Sequence, residues 1–308
     1  MRTEPLDNAA REDDYPRPLV IAHRGASGLA PENTLAAFRI GLALGSDGVE
    51  MDVQLTADGE VVVIHDALVN RTTGAQGRVQ SMTAQQLARL DAGSWFTRRL
   101  RVRPRIREMS RVAATASGTN MRDFADERIP TLDLVLAEIA PLKPKRVYIE
   151  LKTEPAGRRE LLDRTLHILQ STGVFEAITL LSFDHEIIRL AKTLEPAIRT
   201  AVTFPIAGRG LATARSILKA AKAADADEVA LHFGLAGRRT VSSLHEAGLA
   251  VSAWTANSGI VMRRLIASEV DGIMTNFPNR LIACIQSPNK RILPISRNGN
   301  RVGGRSRR

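Results

Sequence analysis

Residues 48–66 read GVEMDVQLTADGEVVVIHD, and this stretch decides how the rest of the chain is understood. Successive side chains of a strand point to opposite faces, so Glu50 and Asp52 share one face among apolar neighbours. Two adjacent carboxylates in such surroundings repel each other and lose hydration, and a divalent metal is the remedy the pair points to. The turn Thr56-Ala57-Asp58-Gly59 is too short for a crossover, so the runs on either side are expected to pair antiparallel. Centring the hairpin near Ala57 and Asp58 places His65 opposite Glu50, which brings two acids and an imidazole to one spot.

Upstream, residues 19–22 form an apolar run ending in His23-Arg24-Gly25, a buried strand with polar groups at its carboxyl end. Pro31-Glu32-Asn33-Thr34 then opens a helix reading LAAFRIGLALG, with Asn33 or Thr34 as its cap and Gly45 at its end. Downstream the regular pattern resumes at Pro130, where Thr131 caps a helix through LDLVLAEIA and RVYIELK (146–152) forms a strand. Strands are expected at 178–183, 199–204, 228–233, 249–255 and 271–276. Helices fall near 158–171, 185–194, 211–224, 237–247, 258–268 and 279–286. Strands interleaved with helices imply parallel βαβ units. Strands beginning near 19, 48, 146, 178, 199, 228, 249 and 271 make a closed (β/α)8 TIM barrel, with residues 61–64 left over as the hairpin partner. A doubly wound open sheet is the alternative, and no GxGxxG or Walker loop follows the first strand to support it.

Residues 67–128 read as an insertion after that hairpin. AQQLARLDAG suggests a short helix, followed by SWFTRRLRVRPRIREM, where Arg99, Arg101, Arg103, Arg105 and Arg107 alternate with mostly apolar residues or Pro. An extended segment with this spacing would gather five guanidinium groups on one face. The chain divides into a flexible N-terminal segment (1–17), a barrel (18–286, insertion about 67–128) and a basic tail (287–308) expected to be disordered and solvated.

An apolar content of 44% suits a sizeable core, and no apolar run approaches the ~20 residues that span a bilayer. The polar, acid-containing N-terminus lacks a secretory h-region, and the single cysteine, Cys284, excludes an intrachain disulfide or a thiolate cluster. Both fit a cytoplasmic setting. The net charge of +10 is concentrated in two places. Residues 286–308 hold seven Lys/Arg and no acid, and residues 98–122 hold eight Arg and one acid, which leaves the remainder at −4.

Catalytic groups of a barrel sit at the carboxyl ends of its strands, where His23, Arg24, Glu50, Asp52, Glu150, Lys152, Ser182, Trp254 and Asn276 all fall. Glu150 and Lys152 repeat the i, i+2 spacing, so Glu50, Asp52 and Glu150 form an all-oxygen set that suits Mg²⁺ or Ca²⁺ rather than zinc. The plainer alternative pairs these acids with Arg24 and Lys152 as buried salt bridges. His23 and His65 are the proton carriers, and His232 is an outside candidate near another strand end. Arg24 and Lys152 suit an anionic group, most simply a phosphate, and Trp254 either stacks on a substrate or packs.

The chain resembles the glycerophosphodiester phosphodiesterase family. The matching pieces include His23-Arg24-Gly25, Pro31-Glu32-Asn33-Thr34-Leu35, Glu50-Met51-Asp52-Val53, Thr56-Ala57-Asp58-Gly59, His65-Asp66, Arg71-Thr72-Thr73, Asp91-Ala92-Gly93-Ser94-Trp95-Phe96, Ile129-Pro130-Thr131-Leu132, Glu150-Leu151-Lys152, Ser182-Phe183, Trp254-Thr255 and Asp271-Gly272-Ile273, in order. The resemblance implies a metal-dependent (β/α)8 enzyme that hydrolyses glycerophosphodiesters to glycerol 3-phosphate and an alcohol. It implies Glu50, Asp52 and Glu150 as metal ligands, His23 and His65 as the acid/base pair, and Arg24 and Lys152 as phosphate contacts. One departure is Asn276, where the family usually has an acid, and another is the long basic stretch from Arg99 to Arg122.

Two other readings compete. A lysophospholipase D acting on lysolipids would use the same core, with the basic segments weakly contacting an anionic membrane surface. A non-catalytic nucleic-acid-binding protein would use the tail, but residues 286–308 contain no aromatic residue to stack on bases, so nucleic acid is not expected as a partner.

Overall fold

Runs of Val, Ile, Leu and Ala become strands buried on both faces, as a sheet covered by helices requires. The computed structural model describes residues 17–287 apart from 103, 117, 119–120, 153 and 207–211, so the expectations for the N-terminal segment up to residue 16 and the tail from residue 288 lie outside the described residues. The strands are β1 (Leu19–His23), β2 (Gly48–Leu55), β3 (Val61–Val63), β4 (Arg146–Leu151), β5 (Ile178–Ser182), β6 (Arg199–Phe204), β7 (Glu228–His232), β8 (Ala250–Trp254) and β9 (Gly272–Thr275). Their lateral order is β1-β9-β8-β7-β6-β5-β4-β2-β3, and β1 also pairs with β2. Eight parallel strands therefore close into the expected barrel, and β3 hangs antiparallel from β2.

The period-2 alternation of the strands sorts side chains between two environments. Val49, Met51, Val53, Val147, Ile149 and Leu151 join the layer shared with the surrounding helices, including Leu132, Val135 and Leu136 of the helix Leu132–Ile139. A smaller cluster of Ile21, Tyr148, Leu181, Ala201 and Met274 belongs to the barrel interior. There the Tyr148 hydroxyl donates to Glu228 Oε1 at 2.7 Å. Glu50 and Asp52 are the alternate residues of β2, and both are buried.

Four expectations are corrected. The hairpin pairs Val53 with Val63, Gln54 with Val62 and Leu55 with Val61, one residue away from the expected register. The turn takes in Glu60, because the Thr56 N–H donates to the Glu60 carbonyl at 3.0 Å and the Glu60 N–H returns to Thr56 Oγ1 at 2.9 Å. On this register His65 would face Met51, yet the ladder ends first, at the Ile64 N–H to Asp52 carbonyl bond of 2.9 Å. The Arg-rich stretch is not extended either. It forms helices Ser94–Val102 and Pro104–Ala116. Ile106, Met109 and Ala113 recur at helical spacing and pack with Phe96 and Phe124 against Ala36, Ala37 and Ile40. A helix turns alternate residues ~200° apart, so alternation gathers no single face. The helix Ala84–Leu87 is shorter than the AQQLARLDAG expectation, and Thr131 stands at the N-cap of its helix without a side-chain capping bond.

Gly48 marks a close approach of backbones within the barrel, since a Cβ there would lie 1.9 Å from the Arg146 carbonyl oxygen. The residue pairs with both Ile21 and Arg146, so neither neighbour can withdraw without opening the ring. Gly48→Ala is expected to lower the midpoint of thermal unfolding by several degrees, on the order of the ~1–3 kcal/mol of an overpacked site. A circular-dichroism melt unchanged from wild type would contradict this close approach.

Candidate active site at the carboxyl end of the barrel

Strand register assembles the site. β1 and β2 place His23 beside Glu50, and β2 and β4 place Asp52 beside Glu150. His23, Arg24, Glu50, His65, Glu150 and Trp254 line one pocket of about 70 Å³ together with Leu181, Phe183 and Met274. Asp52 lies fully buried behind it, and Lys152 bonds to Glu150 Oε1 at 2.6 Å and stands 3.3 Å from Asp52 Oδ1. His23, His65, Arg24, Lys152, Trp254, Glu50, Asp52 and Glu150 are thus brought together. His232 is not part of this group. Its ring stacks on Phe233 and meets Trp254 edge-on, and its Nδ1 accepts from the Gly234 N–H at 3.1 Å.

One oxygen from each of Glu50, Asp52 and Glu150 lies within 4.8 Å of the others, and all three side chains are buried. Burial, then the charges of Asp52 and Glu150, push Glu50 well above the usual carboxyl range. Burial and Asp52 likewise raise Glu150 to about 7. Asp52 behaves oppositely: burial opposes its charge, but Lys152, Arg24 and His65 outweigh burial and hold it far below the usual range. Burial works against the Lys152 charge too, and Asp52 and Glu150 overcome it and raise its pKa.

The surrounding loops aim the remaining groups. Arg24 sits at φ 56°, a conformation unfavourable for a side chain of its size, and its backbone N–H thereby donates to Glu50 Oε2 at 2.9 Å. Its guanidinium reaches Glu32 Oε1 at 2.9 Å and lies 3.3 Å from Asp52 Oδ2. Gly25 follows at φ 72°, where a Cβ would collide with the Ala37 backbone at 2.4 Å, so the His-Arg-Gly turn needs its glycine. Of the two candidate caps, Thr34 takes the role and accepts from the Ala37 N–H, while Asn33 donates to Asp52 Oδ2 at 2.8 Å.

The two histidines are held differently. His23 Nδ1 is 2.7 Å from Asn276 Oδ1, an acceptor, so Nδ1 carries the proton and Nε2 faces Glu50 Oε2 at 3.8 Å. Burial and the Arg24 charge lower its pKa to about 4, so the ring is neutral at pH 7. His65 donates from Nδ1 to Asp66 Oδ1 at 2.6 Å. Asp66 accepts in turn from Arg71, and Arg71 forks onto Glu32 at 2.7 and 2.8 Å. Sequence reasoning assigned no place to Gln54, whose amide nitrogen lies 2.9, 3.1 and 3.0 Å from the carbonyls of Ile64, His65 and Asp66. Its signal was available: Gln54 follows Asp52 at i+2 and shares the acids' face of β2. This clamp brings His65 to the pocket although the hairpin register alone would not.

Comparison with known proteins gives these residues a context. Residues 23–280 match the Glycerophosphoryl diester phosphodiesterase family. The chain belongs to that family. The Bacillus subtilis protein YhdW is 36% identical over 266 residues, spanning 85% of this chain and 96% of its own. A glycerophosphodiester phosphodiesterase of Caldanaerobacter subterraneus is 32% identical over 271 residues, 87% of this chain and 98% of that one. An Oleispira antarctica phosphodiesterase, solved in complex with the product sn-glycerol-3-phosphate, superposes with a TM-score of 0.73 at 27% identity, covering 88% of this chain and 98% of that one.

The family is divalent-metal dependent, and the residues present fit such an ion. The donors are all hard oxygens, and the buried Asp52 Oδ1 has no hydrogen-bond partner. A bound cation favours the ionised carboxylates, so its effect should depend on pH. A raised carboxyl pKa makes the metal-free fold lose stability as pH rises from the ordinary 4.5 through about 7 for Glu150. A saturating divalent cation is therefore expected to raise the melting midpoint over that in EDTA more at pH 8 than at pH 5, and Asp52→Asn should remove most of the increment. Equal increments at both pH values would contradict the placement of the ion on these acids.

Proposed function

We propose that the protein hydrolyses glycerophosphodiesters to glycerol 3-phosphate and an alcohol at this mouth. In this reading Glu50, Asp52 and Glu150 hold the cation, Arg24 and Lys152 contact the phosphate, His23 and His65 move protons, and Trp254 bounds the apolar side of the pocket. The observation that carries it is the register of β1, β2 and β4, which gathers three buried carboxylates beside His23, at a pocket that His65 also lines. The all-oxygen donor set favours Mg²⁺ or Ca²⁺. A cytoplasmic setting accords with the lone, buried Cys284 and with the lack, among the described residues, of a helix long and apolar enough to cross a membrane.

When bound, the cation supplies neutralising charge to the phosphodiester and to the charge that builds in its transition state. The chain's own residues do the rest. Arg24 and Lys152 add fixed positive charge in a water-poor site, where it acts more strongly than in bulk solvent. Each histidine has one ring nitrogen engaged, by Asn276 or Asp66, which leaves the other nitrogen to handle a proton. One imidazole takes the proton of the attacking hydroxyl, either from water directly or from the glycerol 2-hydroxyl, whose attack forms a cyclic phosphate that water then opens to glycerol 3-phosphate. The other protonates the departing alkoxide, which otherwise leaves poorly. Asp66, braced by Arg71, steadies the His65 ring and favours its charged form.

The lysolipid alternative rests on the opposite wall. Phe183 meets Trp254 edge-on, Trp254 meets His232, and Ile206 lies over Gly234, with Phe183 and Ile206 42% and 50% exposed. That apolar approach suits an acyl chain.

Release of glycerol 3-phosphate from glycerophosphocholine is expected to stop in EDTA and return with Mg²⁺ or Ca²⁺. His23→Ala and His65→Ala should each lose about a hundredfold or more in kcat with little change in melting midpoint. Near-wild-type turnover in either would remove that residue from the mechanism. A nitrophenyl ester, whose leaving group needs no proton, should rescue only the variant lacking the acid. Lysophosphatidylcholine hydrolysed in place of glycerophosphocholine would favour the lysolipid reading.

A further inference from the structure

Beside the small pocket, a second cleft of about 320 Å³ shares His65, Glu150 and Phe183 with it and continues past Lys152 to Arg78, Gln80 and Asp184. The pocket holds about 70 Å³, too little for both esters of a phosphodiester. The larger cleft, adjoining at His65 and Glu150, offers the room that the second alcohol of a phosphate centred on the carboxylates needs.

The charges that line this cleft are mostly engaged. Lys152 is bound to Glu150 and Asp52. Asp184 pairs with Arg158 and caps the helix His185–Leu194, and Glu154 also has a partner. Arg78 is the lining cation that meets no carboxylate and donates no hydrogen bond among the described residues, and it is exposed. Its backbone is nevertheless fixed close to the chemistry. Leu68 and Arg78 form an antiparallel bridge, flanked by the Val69 N–H to Gly77 carbonyl bond of 3.1 Å and the Val79 N–H to Ala67 carbonyl bond of 3.0 Å. The guanidinium thus springs from a segment tied to residues immediately after His65. A free guanidinium on a fixed backbone at the rim of a reaction site is suited to fork onto an oxyanion.

We infer that the cleft is the subsite for the departing alcohol and that Arg78 favours alcohols carrying a second phosphate. This rests on the proposed hydrolysis and adds the class of leaving group to it. Arg78 takes no part in bond breaking; it acts on selection through charge at the rim, and its effect weakens in salt.

The test compares kcat/KM for bis(glycerophospho)glycerol, whose leaving alcohol bears a phosphate, with that for glycerophosphocholine, whose leaving alcohol bears a cation. Arg78→Ala is expected to lower the ratio about threefold to fivefold, the range of an exposed charge pair, and Arg78→Glu to lower it about tenfold or more. The loss should lie in KM on the phosphate-bearing substrate, with kcat and glycerophosphocholine turnover near wild type, and should shrink at high salt. A ratio unchanged in both variants, with wild-type turnover intact, would overturn this assignment and leave the phosphodiesterase reading standing. Absence of turnover on both substrates in wild-type protein with a divalent cation would overturn both.

Discussion

Three carboxylates buried within reach of one another are the constraint on which this structure turns. An isolated ion taken out of water costs several kcal/mol, and like charges add to that cost. The chain supplies Lys152, shared between Glu150 and Asp52, and Arg24, shared between Asp52 and Glu32. Two cations against three acids keep Asp52 ionised and leave Glu50 and Glu150 inclined to hold protons. That imbalance distinguishes the cluster from a set of closed salt bridges and suits it to a divalent ion.

The compensation extends outward in alternating sign. From Asp52 it runs through Arg24 to Glu32, from Glu32 to Arg71, and from Arg71 through Asp66 to His65. The same ion pairs therefore tie together the turn after β1, the segment before the first helix and the loop after β3. Asn33, at φ 57°, is drawn into the network by its bond to Asp52 rather than serving as a helix cap. Unfavourable backbone at Arg24 and Asn33 is tolerated where charged partners hold both side chains.

Asn276 alters the balance on the other side. A neutral amide bonds to His23 Nδ1, and no acid stands there to offset burial and the Arg24 charge, so the ring stays neutral. His65, with Asp66 against it and a more open position, lies in a different environment. Two chemically identical side chains are thereby made unequal by their partners.

The barrel and the identities of the site residues were legible in the sequence, because both depend on short-range pattern. Period-2 alternation in residues 48–55 dictates that Glu50 and Asp52 face away from Val49, Met51 and Val53, and eight strand–helix repeats leave few ways to close a sheet. The hairpin register was not legible, since whether Glu60 belongs to turn or strand is decided by two bonds to Thr56. The Arg-rich stretch was misread because its i, i+2 alternation resembles a strand, whereas burial of Ile106, Met109 and Ala113 against the first helix makes it helical. Sequence by itself determined which residue types stand at the strand ends. Only the tertiary structure decided that Asp52 meets Glu150, that Gln54 carries His65 into the pocket and that Arg78 is left without a partner among the described residues, because these depend on contacts between segments that chain order does not specify.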